Sequence, residues 1–310
     1  MDQKHVLVLA GGKSLEREVS LRSGKAVADA LAEGPFRVTL FDPAERPLSE
    51  IEALRPDVAF IALHGIGGED GSIQGLLEWL GIPYTGPGIA ASALCLDKIM
   101  TKKVLTLSGV PTPEFLDFVW DEALDPVKSA EEAIETLGIP FVLKACRQGS
   151  SIGTEIVRKK EDAPAAFRAL LAYKDNLLAE KFLSGAELTV PVMGNRGETV
   201  LPVIEIRADG EYYDYHSKYT PGKSRHIIPA AIPPEAEKTA REVAQRAYLA
   251  TGCRGYARVD MMLDEKGEVQ VIEINTAPGM TATSLFPDAA RAAGMDFPTL
   301  TRTLVELALK

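Results

Sequence analysis

Residues 5–10, His5-Val6-Leu7-Val8-Leu9-Ala10, form a continuous apolar run, the pattern of a parallel strand covered on both faces. Residues 16–32 then carry helical spacing. Two further strand-like runs, 37–41 and 58–63, end at Asp42 and His64. Strand and helix in alternation predict an α/β domain built on a parallel sheet. A helix opens at Ser72, and an Ala-rich helix reaches Asp97 and Lys98. Past Pro111 and Pro113 the pattern predicts a helix over 129–137, with Ser129 as N-cap and Glu132 as its capping-box partner. Strands follow over 141–144, 176–183, 187–191 and 199–206, with a helix over 163–172 between the first two. A long amphipathic helix spans 235–250, and two helical segments lie within 283–310.

The most informative pattern is late in the chain. Residues 257–263 and 268–275 are β-type runs around the polar turn Asp264-Glu265-Lys266-Gly267, which predicts a hairpin. With those four residues as the loop, Leu263 pairs with Glu268 and Asp260 with Val271. Arg258, Asp260, Glu273 and Asn275 then share one face. Val259, Met261, Leu263, Ile272 and Ile274 share the apolar one. In this register Asp260 and Glu273 are diagonal neighbours, roughly 7–8 Å apart. Two carboxylates and an amide oxygen are hard ligands suited to Mg²⁺ or Mn²⁺. An ordinary hairpin with a solvated polar face has the same pattern. The following Thr276-Ala277-Pro278-Gly279-Met280-Thr281 ends the strand, because Pro lacks an N–H and Gly admits unusual backbone angles.

Composition narrows the class. The 310 residues allow two or three domains, and 46% hydrophobic with 25% charged residues predicts a soluble globular protein. The net charge of −10 with no long basic block argues against a nucleic-acid partner. The first apolar run is too short for a signal segment or a membrane span, so no membrane partner and a cytoplasmic location are expected. Cys95, Cys146 and Cys253 are widely spaced and suggest neither a disulfide framework nor a zinc site.

Two glycine-rich turns invite phosphate chemistry. The first, Gly11-Gly12-Lys13-Ser14, lacks the G-x-G-x-x-G pattern, and Glu16 stands where a pyrophosphate would dock, which disfavours a nicotinamide cofactor. Glu16 could instead hold an ammonium, or serve as a favourable first-turn charge. The second, residues 145–154 after Lys144, is a small-residue loop between two strands whose N–H groups could surround phosphates. A plain hairpin loop fits the composition equally. Glu180 and Glu187 read by themselves as surface acids.

Taken together, Glu-Arg-Glu-Val-Ser-Leu at 16–21, the stretch 64–98, the loop 145–154 and Glu-Ile-Asn-Thr-Ala-Pro-Gly-Met-Thr at 273–281 resemble the D-alanine–D-alanine ligase family of ATP-grasp enzymes. The resemblance spans nearly the whole chain and implies an ATP-grasp fold of mixed α/β and α+β type. It implies an N-terminal Rossmann-like domain at 1–98, an ATP-binding subdomain at 99–187, and a C-terminal subdomain with metal site and lid at 188–310. It implies ATP and two Mg²⁺ (or Mn²⁺) as cofactors, D-alanine as substrate and a homodimeric assembly. Lys98, Lys144, Ser151, Glu180, Lys181, Phe182, Leu183, Glu187 and Lys218 would bind ATP, and Asp260, Glu273 and Asn275 the metal ions. Glu16, Ser150, Tyr219, Arg258 and Gly279 would be catalytic. Glu16, Val19, His64, Arg258, Gly279, Ser284 and Leu285 would contact D-alanine. Tyr219 also implies an amine acceptor rather than D-lactate. One departure stands out: Ala145 follows Lys144 where the family usually has Pro.

Overall fold

The computed structural model describes residues 3–208 and 224–310. Lys218 and Tyr219 lie outside the described residues.

The N-terminal sheet has the order β2-β1-β3, all parallel, from β1 (Lys4–Leu9), β2 (Phe36–Phe41) and β3 (Val58–Ile61). From Val6 onward β1 is apolar because both its faces are covered. Val6 and Val8 pack toward helix α1 (Arg17–Ala32) and the C-terminal helices, while Leu7 and Leu9 pack toward α3 (Ser72–Trp79). Between them run α2 (Glu50–Leu54) and, later, α4 (Ile89–Leu96). Helix α5 (Lys98–Leu107) starts at the residue where the first domain boundary is expected.

The second sheet is antiparallel in the order β4-β7-β5-β6, from β4 (Phe115–Phe118), β5 (Phe141–Ala145), β6 (Thr154–Val157) and β7 (Leu177–Lys181). Helices α6 (Pro126–Leu137) and α7 (Ala163–Leu171) cover one face, where Phe118 and Phe167 meet edge to face at 5.0 Å. The start of α6 corrects the sequence expectation. Asp125, not Ser129, is the N-cap: its carboxylate accepts the N–H groups of Val127 and Lys128, and Pro126 opens the first turn. Proline at that position costs no hydrogen bond, so the helix extends three residues further back.

The third sheet, β11-β10-β8-β12-β13, comprises β8 (Gly185–Met193), β9 (Thr199–Val200, paired to β8), β10 (Ile204–Ala208), β11 (Ser224–Ile227), β12 (Tyr256–Asp264) and β13 (Val269–Asn275). The single strand expected over 199–206 is two strands. Helix α8 (Pro234–Ala250) packs on one face through Ala240, Ala244 and Ala247, against Leu188, Val190, Val259 and Met261. Helices α9 (Leu285–Ala292) and α10 (Phe297–Ala308) close the chain. Tyr256 joins two units: its ring lies 6.4 Å from that of Phe60 on β3 and 5.5 Å from that of Phe286 on α9. All three cysteines are buried.

The β12–β13 register also differs from expectation. Leu263 pairs with Val269, and a β-bulge between Asp260 and Met261 brings Asp260 directly opposite Glu273 and Arg258 opposite Asn275. The bulge breaks strict alternation, as an extra residue must. The one-residue shift at the turn puts Val271 in the core opposite Met261, and the extra residue Ile272, expected in the core, lines a cavity and returns Glu273 to the polar face. The four polar residues still share one face.

Helix α1 lies so close to β1 that a Cβ at Gly24 would sit 2.2 Å from the Cβ of Ala10. Gly24→Ala should gain about 1 kcal/mol of helix propensity but lose roughly 1–3 kcal/mol to overpacking. The expected outcome is a lower urea midpoint; an unchanged or higher one would show that α1 can lift off the sheet freely.

Candidate active site

The two antiparallel sheets and the start of α5 meet around a cavity of about 750 Å³. The hairpin β12–β13 forms one wall with Asp260, Met262 and Glu273. The β5–β6 loop adds Gln148 and Ser151, and residues 180–187 between β7 and β8 form the far side.

Asp260 is held from several sides. Arg258 donates to both its oxygens, Nε to Oδ1 at 2.8 Å and Nη2 to Oδ2 at 2.7 Å. Asn275 Nδ2 donates to Oδ2 at 2.8 Å, and the Thr189 hydroxyl donates to Oδ1. Glu273 has Lys98 Nζ at 3.5 Å. Lys98 also donates to the Gln148 carbonyl at 2.7 Å, which ties the small-residue loop to α5. Carboxylates directly opposite on adjacent strands repel, so these cations are what the pair requires when nothing else neutralises it. The donor set fits Mg²⁺ or Mn²⁺: two carboxylates, and an amide whose oxygen replaces its nitrogen on a half-turn, at the edge of a cavity flanked by Lys98 and Lys144.

Glu180 is not a surface acid. It is 2% exposed and is shared by two lysines. Lys144 contacts Oε1, and Lys102 reaches Oε2 at 2.9 Å. Burial would push the Glu180 carboxyl up, but the charges of Lys102 and Lys144 outweigh it and hold it at about 2. Burial likewise opposes the charge on Lys144, yet Glu180, Glu273 and Glu187 together raise its pKa above the usual lysine value. Lys102 was not foreseen from the sequence. The available signal is its i,i+4 spacing from Lys98, which puts both on one face of α5.

Beyond Glu180 the chain turns. The Lys181 N–H bonds the Glu114 carbonyl at 2.9 Å, and the Phe182 ring lies 5.3 Å from the Arg158 guanidinium. Leu183 lines the cavity. Glu187 also lines it, from β8 opposite Met262.

The remaining site residues lie outside the lining of this cavity. Glu16 caps the start of α1, and Ser150, at φ 53°, donates its hydroxyl to the Glu16 carboxylate. Val19 is buried on α1. His64 is 5% exposed and has both ring nitrogens engaged, Nδ1 with the Ala277 carbonyl at 2.8 Å and Nε2 with Ser23 Oγ at 3.2 Å. Burial, its largest influence, lowers the His64 pKa. Ser284 is the N-cap residue of α9, with its hydroxyl accepting the Thr281 N–H at 3.0 Å, and Leu285 begins the helix. Gly279 lies beside Ser284, where an added Cβ would be 3.0 Å from Oγ. Glu69 is a second residue that the sequence left unremarked. It accepts the N–H groups of Gly65 at 2.8 Å and Ala277 at 3.0 Å. Burial, followed by the nearby Glu16 charge, pushes its carboxyl up to about 7 against those two bonds. Asp42, at the end of β2, is occupied by Arg17 at 2.8 Å and the Gly12 N–H at 3.0 Å.

A small-residue hairpin loop, paired strand carboxylates and buried lysines between two antiparallel sheets are the arrangement of the ATP-grasp class of enzyme. Family models described as "D-ala D-ala ligase N-terminus" and "D-ala D-ala ligase C-terminus" match residues 41–87 and 104–306. The chain is 50% identical over 306 residues to a D-alanine–D-alanine ligase of Moorella thermoacetica, covering 98% of this chain and 99% of that one. It is 49% identical over 304 residues to that of Carboxydothermus hydrogenoformans, with 98% and 97% covered. The structure of D-alanine–D-alanine ligase from Bacillus anthracis complexed with ATP superimposes with a TM-score of 0.85 at 31% identity, over 99% of this chain and 97% of that one. The chain belongs to the D-alanine–D-alanine ligase family.

Removing Lys102 leaves Glu180 buried with one cation. Lys102→Met should cost roughly 3–5 kcal/mol, the range for breaking a buried pair, read by urea unfolding at pH 7. The carboxyl is held below its unfolded value, so its contribution is full above the usual carboxylate range near about 4.3 and is lost as pH falls toward about 2. The gap between wild type and variant should narrow over that window. A gap that stays constant down to acid pH would remove Glu180 as its cause.

Proposed function

We propose that this chain joins two D-alanines into D-alanyl-D-alanine, with ATP phosphorylating the carboxylate of the first. One observation carries the reading. The Asp260–Glu273 pair links the large cavity, which it lines, to Arg258 and Glu16: Arg258 holds Asp260, and the charges of Arg258 and Glu16 both reach His64 and Glu69. A nucleotide in the former and an amino acid beside the latter would meet at those carboxylates.

In this reading the Glu180–Leu183 segment receives the base and Glu187 the ribose. Lys98, Lys144 and the N–H groups around Ser151 hold the phosphates. Asp260, Glu273 and Asn275 are the side chains that would hold two Mg²⁺ or Mn²⁺ ions, which neutralise phosphate charge and so admit a second anion. Glu16 anchors the first ammonium, and Val19 and His64 shape that pocket. The first carboxylate oxygen attacks the γ-phosphorus, ADP departs, and an acyl phosphate forms. The second amine, having lost its proton, attacks the acyl carbon. Arg258 and the Gly279 N–H face the oxyanion that develops. Phosphate leaves as the peptide bond closes. Ser284 and Leu285 receive the second carboxylate at the start of α9, a position favourable to an anion. Ser150 and Tyr219, with Lys218, belong to the water-excluding cover, since water would hydrolyse the acyl phosphate.

Family resemblance supports the same reading for the rest: division into units at residues 98 and 187, a homodimer, and a cytoplasmic location that supplies cell-wall synthesis. No helix among the described residues is long and apolar enough to cross a membrane.

The test is phosphate release with ATP, Mg²⁺ and D-alanine, with L-alanine, D-serine and D-lactate in parallel. D-alanine should give turnover, L-alanine none, and D-lactate little at neutral pH. Glu273→Gln should lower turnover by at least about 10²-fold with an unchanged circular dichroism spectrum. Near wild-type turnover in that variant would remove the metal assignment.

A further inference from the structure

The turn at residues 277–280 presents Gly279, yet little in its own sequence fixes it. Pro278 has no N–H, and glycine at 279 is conformationally permissive. The turn is instead gripped from the N-terminal unit. The Ala277 N–H donates to Glu69 Oε1 at 3.0 Å, and the Ala277 carbonyl faces His64 Nδ1 at 2.8 Å. Because that carbonyl can only accept, Nδ1 carries the proton and a neutral ring leaves Nε2 as an acceptor. Nε2 then accepts a hydrogen bond from the Ser23 hydroxyl at 3.2 Å. The Ser23 oxygen in turn accepts the Met280 N–H at 3.1 Å. The chain of bonds closes into a ring: Ala277 carbonyl, His64, Ser23, Met280 N–H, and back along the turn. Ser23 is fully buried on α1, so no water competes for its hydroxyl.

The donor count explains what the ring achieves. Three residues of the turn carry an N–H. Those of Ala277 and Met280 are consumed by Glu69 and Ser23, while no acceptor among the described residues meets that of Gly279. We infer that Ser23, acting through His64, is a positioning residue: it holds residues 277–280 so that the Gly279 N–H points at the reacting centre. This rests on the ligase reading for its catalytic consequence but not for the clamp itself. His64 accordingly serves the turn with both nitrogens, and its link to substrate runs through the backbone.

Two measurements on the full chain test this. The first is amide hydrogen exchange without ligands in wild type and Ser23→Ala. Peptides covering 276–284 should exchange about tenfold faster in the variant, the equivalent of one buried hydrogen bond, with β12 unchanged. Unchanged exchange over 276–284 overturns the clamp. The second is steady-state kinetics. Ser23→Ala should lower kcat by about tenfold or more, as small misplacements near a reacting centre do, with the KM for ATP within about twofold of wild type. An unchanged kcat, or a KM for ATP that rises in step with the loss, overturns the positioning role. Glu69→Gln, which keeps one of the two acceptors, should give a smaller loss of the same kind; a loss confined to ATP affinity counts against it. A wild-type chain without turnover would defeat the ligase reading alone, because the exchange measurement still decides the clamp.

Discussion

Two carboxylates placed face to face on neighbouring strands repel, and the site is arranged around that repulsion. The bulge in the hairpin sets Asp260 directly opposite Glu273 rather than diagonal to it. Strand pairing alone would not favour this. Arg258 with two bonds, Asn275 and Thr189 surround one acid, and Lys98 approaches the other. The positive charge comes from different places in the chain: α5, β5 and β12 itself. A site so arranged accepts further cations readily and a polyanion only with them.

The same logic accounts for the buried lysines. Lys102 and Lys144 divide a single carboxylate, Glu180, in a region almost without solvent. Breaking such an arrangement costs more than an exposed pair, since the remaining charge has no water to turn to. Lys144 thereby stays charged and fixed beside the cavity, and β5, β7 and α5 are locked to one another at the place where a nucleotide would lie.

Much of this was legible in the sequence. The buried strand at 5–10 and the hairpin at 257–275 followed from apolar periodicity. So did the shared face of Arg258, Asp260, Glu273 and Asn275, because alternation on a strand is a local property. The register was not legible. The turn holds one residue more than expected and Ile272 adds a second, so the pairing shifts by one residue near the turn and by two beyond the bulge, and bulges have no strong compositional mark. The partners that come from far away were also hidden. Nothing near Glu180 announces Lys102, and nothing near Ala277 announces Ser23, 254 positions earlier. Such contacts exist only once the three sheets have closed. Local competition misled the reading at α6, where Ser129 looked like a cap but Asp125 followed by Pro126 made a better one.

The central claim is that the paired carboxylates form a divalent-cation site completed by a nucleotide. It is tested most directly by titrating Mn²⁺ into the protein with ADP present and following free Mn²⁺ by electron paramagnetic resonance. Wild type should deplete the free signal, and Asp260→Asn should weaken binding by about tenfold or more, as loss of a carboxylate ligand does. Equal Mn²⁺ binding by the two proteins, at equal ADP, would contradict the claim.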